Sequence, residues 1–344
     1  MMRAIVRWGD PHNFFKSRIT HIIAGDIGGT KSWLVWFTQV SHQPPRVLFE
    51  QRYESASFVG AGELLKTFMV ESGHTLPPDV LCLALPGPVE QRRVMLTNLN
   101  WTVDADALGA ELGIADVRFI NDFQAAAAGV ATLHKTDYEV LNAGLVRLGA
   151  TRVITGAGTG LGLAWMQADA NGEYQTYATE GGHIDFAPAN AQQRELLSWM
   201  AASPDQQQFA HVSWERMLSG MGLAALYQFN YLLATGTALS SVPDAAGIHA
   251  GAMRNEAVAS AAVQMFADIY AAWIGNLALL YQPRGGLYIA GGMAIHLQAW
   301  LKGERFLQIA ADKGRMAELV RQTPIYLITN PRLGVQGAMK VAGS

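Results

Sequence analysis

Two short segments rich in glycine, each containing a hydroxyl side chain, follow apolar, strand-like runs. The first is Gly25–Thr30, with the sequence Gly-Asp-Ile-Gly-Gly-Thr, and the second is Gly156–Gly162, Gly-Ala-Gly-Thr-Gly-Leu-Gly. Glycine allows a phosphate chain to approach the backbone closely, and successive backbone N–H groups can then bind the anion. Two such segments that close on one nucleotide from two domains would be a signature of ATP-dependent phosphoryl transfer, whereas one alone would be weak evidence.

Each glycine-rich segment also has a plainer interpretation. In the first, the carboxylate of Asp26 could orient hydrated Mg²⁺ while Thr30 and backbone N–H groups contact phosphate oxygens. The alternative is a hairpin turn between two strands, and on the local sequence alone that alternative is favoured. In the second, Thr159 could donate a hydrogen bond to a phosphate, and the alternative is a wide hairpin with a bulge. The second segment has more glycine than a turn needs, which favours the functional interpretation.

A polar pair, Asn121-Asp122, directly follows the strand-like run Val117–Ile120 and begins an alanine-rich helix. Ligands bind at the carboxyl edge of open α/β sheets, and a carboxylate at a helix N-terminus stays ionised. Asp122 could therefore accept the proton of an attacking hydroxyl while Asn121 holds a neighbouring group. A simple helix cap is the alternative, and the local sequence does not separate the two.

Three further polar side chains are candidates for binding a small ligand. Glu180 and His183 are separated by two glycines after another strand-like run, so both side chains could point at one ligand. The alternative is a tight turn with a solvated glutamate and a packed histidine. Glu215 gives the weakest local signal, because a charged helix start explains it better than a ligand-binding role does. A zinc site at His183 is a poor interpretation, since the chain has a single cysteine.

Two more features are open to either interpretation. Gly291-Gly292 follows a strand-like run and could let adenine or ribose lie against the backbone, or could simply end the strand. Lys31 is better explained as a solvated surface charge than as a phosphate ligand.

The elements that must position these residues alternate between strands and helices, which predicts an α/β fold. Strands are predicted near 22–24, 32–38, 46–53, 80–84, 117–120, 152–155, 161–167, 174–179, 286–290 and 325–328. Helices are predicted near 61–73, 104–112, 122–131 and 333–342, with a helix-rich region over 192–281 and two short helices between the last two strands. Both halves begin with a strand and a glycine-rich turn, which hints at a duplicated core.

Composition excludes several classes of protein. The chain has 344 residues, of which 50% are hydrophobic and 15% charged, and its net charge of −3 provides no basic field for a nucleic-acid backbone. The single cysteine, Cys82, lies in an apolar run and fits a reducing cytoplasm. The longest apolar stretch, Ala257–Tyr281, is interrupted by polar residues on one helical stripe, which predicts a buried helix and not a membrane span. Residues 1–20 lack the apolar region of a secretion signal and are interpreted as a poorly ordered extension, or as sequence upstream of the true functional start.

The motifs, in their order along the chain, resemble those of the bacterial glucokinase family within the hexokinase and actin-like ATPase superfamily. The resemblance covers about residues 21–342. It is carried by Gly25–Thr30, Leu85–Pro88, Leu96–Asn98, Phe119–Phe123, Gly156–Gly162, Glu180–Pro188, Glu215–Gly220, Tyr288–Gly292, Asp312–Met316 and Pro324–Leu327. The chain lacks the cysteine-rich zinc motif of the repressor–kinase (ROK) branch, which places it in the other branch. Lys31 stands where this branch often has asparagine.

The resemblance implies a two-domain fold of the ribonuclease H-like, actin-like ATPase type with a substrate cleft. The small domain would comprise residues 21–132 with 332–344, and the large domain residues 133–331. The implied reaction is transfer of the γ-phosphoryl group of ATP to the 6-hydroxyl of glucose, the first step of glycolysis, with Mg²⁺ as cofactor. A cytoplasmic enzyme that binds neither nucleic acid nor membrane is expected, and homodimers are common among similar proteins.

The resemblance also assigns roles by position. Asp122 would be the general base, and the sugar hydroxyls would be held by Asn98, Asn121, Asp122, Glu180, His183 and Glu215. The ATP phosphates and adenosine would contact Asp26, Gly28, Gly29, Thr30, Gly156, Gly158, Thr159, Gly160, Gly291 and Gly292, with Asp26 reaching Mg²⁺ through water. If a wrong epimer were bound, buried groups that hydrogen-bond to the sugar hydroxyls would lose their partners, at a cost of about 1–3 kcal/mol each.

Alternatives remain at this stage. A kinase for another hexose, such as mannose, fructose or an amino sugar, would use the same residue types. A non-catalytic sugar sensor on the same fold would be expected to carry a DNA-binding helix-turn-helix before residue 21, where only about 20 non-amphipathic residues lie. A polymerising actin-like ATPase would not explain the Glu-Gly-Gly-His segment. The sequence does not choose between ATP and polyphosphate as donor, and it does not define the oligomeric state.

Overall fold

The computed structural model describes residues 19–41, 43–202 and 211–344. The strands are β1 (Thr20–Ile27), β2 (Lys31–Gln39), β3 (Arg46–Glu54), β4 (Val80–Leu85), β5 (Arg93–Leu96), β6 (Trp101–Asp104), β7 (Asp116–Asn121), β8 (Tyr138–Asn142), β9 (Arg152–Ala157), β10 (Leu161–Ala168), β11 (Tyr174–Thr179), β12 (Gly286–Ala290) and β13 (Ile325–Ile328). The helices are α1 (Ala61–Glu71), α2 (Ala105–Leu112), α3 (Asp122–Gly129), α4 (Ala191–Ala202), α5 (Trp214–Met217), α6 (Gly220–Thr235), α7 (Ala245–Met253), α8 (Ala257–Tyr281), α9 (Gly292–His296), α10 (Gln298–Leu301), α11 (Glu304–Ala310), α12 (Ala317–Arg321) and α13 (Leu333–Ala342). Short 3₁₀ turns lie at Ser55–Ser57, Val130–Thr132, Gly181–His183 and Gly314–Met316.

The strands form two large sheets with the same topology. In the first sheet the order is β3-β2-β1-β4-β7, and in the second it is β11-β10-β9-β12-β13-β8. In each, three strands form an antiparallel meander and the following two strands run parallel to the first strand of that meander. The second sheet has one additional antiparallel edge strand, β8. The repeat that the sequence only hinted at is therefore a repeat of topology.

The outer face of each sheet has its own apolar core. Helices α1 and α2 cover the first sheet through buried side chains such as Leu64, Phe68 and Leu108. The larger core under the second sheet is built around α8, with Trp214, Phe266 and Trp273 almost fully buried. Burial of each such side chain contributes roughly 1.5–3 kcal/mol, so α8 belongs to the part of the chain that stabilises the second sheet most.

Helix α8 is long and apolar enough by composition to cross a membrane, and it is the one helix in the described part of the chain that meets this test. However, 67% of its most apolar stretch is buried inside the protein. Its polar residues are used internally, because the amide of Gln264 donates to Asp268, and Asp268 also accepts from Arg305 of α11. Helix α8 is a core helix, as its interrupted apolar pattern predicts.

Helices α3 and α13 lie between the two sheets and contact both. On one side Ala125 and Val335 pack against the first sheet, and on the other Ala127 and Leu333 pack against the second. The two helices approach so closely that a Cβ added at Gly337 would lie 2.5 Å from the carbonyl carbon of Ala125. No side chain fits between these helices at that point, so glycine is required there.

The structure differs from the expectations in a few places. Strands β5, β6 and β8 were not expected, because two form a short hairpin and one is a short edge strand, which leave little periodic signal. Thr20 already belongs to β1, so only residues 1–18 of the expected extension lie outside the described residues. Four short helices, and not two, lie between β12 and β13. Both glycine-rich segments are largely strand, with turns confined to Gly28–Thr30 and Gly158–Gly160.

Candidate active site

A cleft of about 520 Å³ lies where the carboxyl ends of β4, β7 and β9 meet, and it contains most of the residues singled out in the sequence. The predicted residues that line it are Gly28, Gly29, Asn98, Asn121, Asp122, Gly156, Gly158, Thr159, Gly160, Glu180, His183, Glu215 and Gly291. Asp26, Thr30 and Gly292 do not line it. Residues that follow strands of both sheets therefore share one cavity.

The three predicted residues outside the cleft wall lie beside it. Asp26 is within β1, one residue pair from the end of its ladder with β2, and its carboxyl group is close enough to raise the pKa of Asp122. Thr30 is exposed in the turn between β1 and β2, where its carbonyl accepts from Ser55 N–H. Gly292 begins α9, directly after Gly291. Lys31 points away to an exposed ion pair with Glu54 at 3.7 Å.

Asn121 has the capping role that the sequence left open. Its Oδ1 accepts hydrogen bonds from the N–H groups of Phe123 and Gln124 at 3.0 and 3.1 Å, and its Nδ2 donates to the carbonyl of Gly87 at 3.2 Å. An amide has two N–H donors, so one remains for a ligand. Asn121 is thus a helix cap that can also present a single donor to the cleft.

Asp122 occupies the first turn of α3, where its Oδ1 accepts from Phe123 N–H at 2.8 Å. Burial in the cleft, with smaller contributions from the neighbouring charges of Asp26 and Glu180, raises the pKa of Asp122 to about 7, against the opposing effect of the backbone N–H groups. Burial also raises the pKa of Asp26 to about 6. A carboxylate whose pKa is near neutrality is well matched to accept a proton from a hydroxyl group.

The raised pKa values make a prediction about the stability of the ligand-free, metal-free protein. In the folded protein Asp26 and Asp122 keep their carboxyl protons up to about pH 6 and pH 7, whereas in the unfolded chain they release them near pH 4. The stabilisation of the folded state by this proton binding is complete below pH 4 and is lost as the pH rises towards 7. Asp122→Asn removes one titrating group and keeps the acceptor for Phe123 N–H. The free energy of unfolding of Asp122→Asn minus that of the wild type should therefore be about 1–3 kcal/mol larger at pH 8 than at pH 5. Urea unfolding at the two pH values measures it. A difference independent of pH would contradict this.

Glu215 connects His183 to the hairpin of β9 and β10. Its Oε2 accepts from Leu161 N–H at 3.0 Å, and its Oε1 lies 3.8 Å from Nδ1 of His183. Nε2 of His183 lies 3.8 Å from Glu180 on the other side. The short helix α5 fixes Glu215, because Trp214 is buried in the core and Ser213 caps the helix through Arg216 N–H. The residue with the weakest local signal is therefore central to the site.

The hairpin of β9 and β10 is supported from the core side by a relay of hydrogen bonds. Nε1 of Trp273 donates to Oγ1 of Thr155 at 3.1 Å, and Thr155 donates to the carbonyl of Gly162 at 2.8 Å. Beside the end of β9, Gly291, which follows the neighbouring strand β12, has a φ of +92°, and a Cβ there would lie 2.7 Å from the carbonyl oxygen of Ala157. The turn Gly158–Gly160 is thus held from the core side, and Thr159 at its tip is exposed.

Sequence reasoning missed several residues of the cleft wall. Pro86, Gly87, Thr97 and Phe123 stood in the quoted motifs without an assigned role of their own. Thr179 and Met221 carried no signal, since each becomes part of the site only through folding. Among the described residues no group of three or more histidine, cysteine, aspartate or glutamate side chains could hold a metal ion alone.

The fold and the site define an ATP-dependent hexose kinase, and comparison with known proteins supports this class. The glucokinase family model matches residues 23–344. A glucokinase from Nostoc punctiforme is 35% identical over 339 residues, covering 93% of this chain and 98% of the relative. A crystal structure of a glucokinase from an Antarctic psychrotroph has a TM-score of 0.79 at 28% identity, covering 94% and 99% of the two chains. A glucokinase from Balamuthia mandrillaris, solved in complex with glucose, shares the fold with a TM-score of 0.78 at 21% identity, covering 96% of each chain.

The chain belongs to the glucokinase family. The family resemblance and the actin-like fold predicted from the sequence are thereby confirmed.

Proposed function

We propose that the cleft transfers the γ-phosphoryl group of ATP to the 6-hydroxyl of glucose, with Asp122 as general base. The observation that carries this proposal is the placement of Asp122, with its raised pKa, in one cavity with the sugar-facing polar residues and both glycine turns. The glucokinase family assignment supports glucose as the substrate and ATP as the donor.

In the proposed reaction the 6-hydroxyl gives its proton to the carboxylate of Asp122. The hydroxyl oxygen forms a bond to the γ-phosphorus while the bond from that phosphorus to the β–γ bridging oxygen breaks, so that ADP leaves. Asn98, Asn121, Glu180, His183 and Glu215 hold the other hydroxyls. Phosphoryl transfer depends mainly on such positioning and on neutralisation of charge, because little covalent chemistry falls to the protein.

The backbone of both hairpin turns and of Gly291-Gly292 is proposed to bind the nucleotide. Gly28, Gly29 and Thr30 approach the phosphates from the first sheet, whereas Gly156, Gly158, Thr159 and Gly160 approach from the second. We assign residues 21–132 with 332–344 to the small domain and 133–331 to the large domain. Closure of the two domains would exclude water, which competes with glucose for the γ-phosphate.

Mg²⁺ fits the residues present. Burial raises the cost of ionising Asp26, and the charge of Asp26 raises the pKa of Asp122, so a cation close to Asp26 would relieve both effects. Mg²⁺ keeps several waters and binds phosphate oxygens with only one or two carboxylates, which agrees with the lack of a larger ligand cluster among the described residues. Bound there, Mg²⁺ would neutralise charge on the β- and γ-phosphates, with Asp26 acting through water.

The first test is ADP release with Mg·ATP across glucose, mannose, fructose, galactose and glucosamine. Release that depends on glucose alone supports the proposal, whereas release with another sugar would keep the mechanism and change the substrate. Polyphosphate in place of ATP tests the donor. Folded protein that binds glucose but releases no ADP would overturn the catalytic proposal in favour of a sugar sensor.

The two cleft glutamates should respond differently to substitution. Glu180→Gln should raise the glucose KM by about tenfold and leave the ATP KM within about threefold, because the loss of one charged hydrogen bond costs roughly 1.5 kcal/mol and Glu180 has no contact with the hairpin turn. Glu215→Ala should raise both KM values, since Leu161 N–H loses its acceptor. Steady-state kinetics in both substrates measures this, and an ATP KM unaffected by Glu215→Ala would contradict it.

We also propose a cytoplasmic location, supported by the family assignment and by a composition with one buried cysteine. A homodimer is proposed from the resemblance alone, and sedimentation velocity would test it.

A further inference from the structure

Phe123, the residue after the proposed base, lies against the second sheet although it starts a helix that follows the first sheet. A Cβ built at Gly162 would lie 2.5 Å from Cγ of Phe123 and closer still to the ring edge, and a Cβ built at Gly156 would lie 3.0 Å from Cζ. The ring therefore occupies the space that a side chain at Gly162 would need. It also borders the space above Gly156, where a Cβ would first meet the carbonyl oxygen of Ala290 at 2.5 Å.

Gly156 and Gly162 are not independent glycines, because they are register partners across β9 and β10. Together they leave a patch of sheet surface without side chains, and the ring of Phe123 fills it. The same two strands continue directly into the turn Gly158–Gly160, which the proposed function assigns to the ATP phosphates. On the opposite face, Gly162 is held through its carbonyl by Thr155 and Trp273.

The rest of the first turn of α3 is also fixed. Asn121 caps it through the N–H groups of Phe123 and Gln124, and Nε2 of Gln124 donates to the carbonyl of Thr176 on β11 at 3.3 Å. Asp122 is therefore attached on one side to the first sheet through β7 and on the other to the nucleotide hairpin through Phe123.

We propose that Phe123 is a positioning residue that sets the distance between the base Asp122 and the phosphate-binding turn Gly158–Gly160. This inference rests on the proposed role of Asp122. A misplacement of a reacting group by about 1 Å can reduce turnover by about 10²-fold, so a side chain that fixes this separation controls kcat. Because Phe123 is argued to act through Asp122 and the turn, its loss should spare the groups that hold the sugar.

The first experiment compares Phe123→Leu with Phe49→Leu. Phe49 is a half-buried phenylalanine on β3 that packs against Phe68 and lies away from the cleft. Phe123→Leu should lower kcat by about 10- to 100-fold and leave the glucose dissociation constant, measured by equilibrium titration, within about threefold. Phe49→Leu should leave both unchanged. Equal loss of kcat in the two variants, or an unchanged kcat in Phe123→Leu, would overturn the proposal.

A double-mutant cycle tests the contact itself. Gly162→Ala places a methyl group where the ring lies and should lower kcat on its own, whereas Phe123→Ala creates room for that methyl group. The two effects should therefore be less than multiplicative when combined. Fully multiplicative effects would show that the ring and Gly162 act separately. If a Phe123 variant does not fold, Gly162→Ala tests the contact in its place. If Asp122→Asn is inactive while Phe123→Leu keeps the wild-type kcat, this inference fails and the assignment of Asp122 as base stands.

Discussion

Asp122→Asn should lower kcat by about 10²- to 10⁴-fold while glucose binding stays within a few-fold of the wild type. The asparagine keeps the acceptor for Phe123 N–H, so the first turn of α3 and the shape of the cleft should persist. It cannot accept the proton of an attacking hydroxyl, and so the loss should fall on turnover. Initial rates of glucose-dependent ADP release, with glucose titration on the same preparation, measure both quantities.

A suitable control is Asp106→Asn. Asp106 is also an acidic residue in the first turn of a helix, α2, but it is exposed and remote from the cleft, where it pairs with Arg92. This variant should keep wild-type kcat. If Asp122→Asn retained turnover near that of the wild type, another group would have to be the base.

Gly337→Ala should destabilise the protein by about 3 kcal/mol or more, the scale of a severely overpacked core site. The added methyl group would lie inside 3.0 Å of the backbone of both Ala125 and Gly129 of α3, and backbone atoms cannot move aside as the end of a side chain can. Helices α3 and α13 would have to separate, which would disturb the packing of both sheets. Urea unfolding monitored by circular dichroism measures the free energy of unfolding.

Gly62→Ala provides the matched control on another helix. A Cβ at Gly62 would meet only the carboxyl end of Glu111, a half-exposed side chain that can rotate away. Its stability should stay within about 1 kcal/mol of the wild type, because alanine is the better helix former. Similar losses in the two variants would mean that the helix pair is not tightly packed. Since Asp122 begins α3, we also expect Gly337→Ala to lower kcat in the fraction that folds.

The local sequence determined the fold class and most of the elements. Strands such as 286–290 and 325–328 have the predicted bounds, because continuous apolar runs bounded by glycine and proline indicate buried strands whatever lies around them. The ordered series of motifs also identified the family and the polar residues that line the cleft. The glycine-rich segments show the limit of this reasoning, since each is both a hairpin and part of the cleft wall, and the two interpretations were not exclusive.

Tertiary structure alone decided how these residues act together. Glu215 had the weakest local signal, and its importance follows from a hydrogen bond to Leu161, 54 residues earlier in the chain. The pKa of Asp122 depends on burial and on Asp26, which lies on a different strand. Phe123 and Gly162 meet only because α3 packs between two sheets. Sequence patterns report the preferences of neighbouring residues, whereas burial, charge coupling and close packing arise between segments that are distant in the chain and become neighbours only on folding.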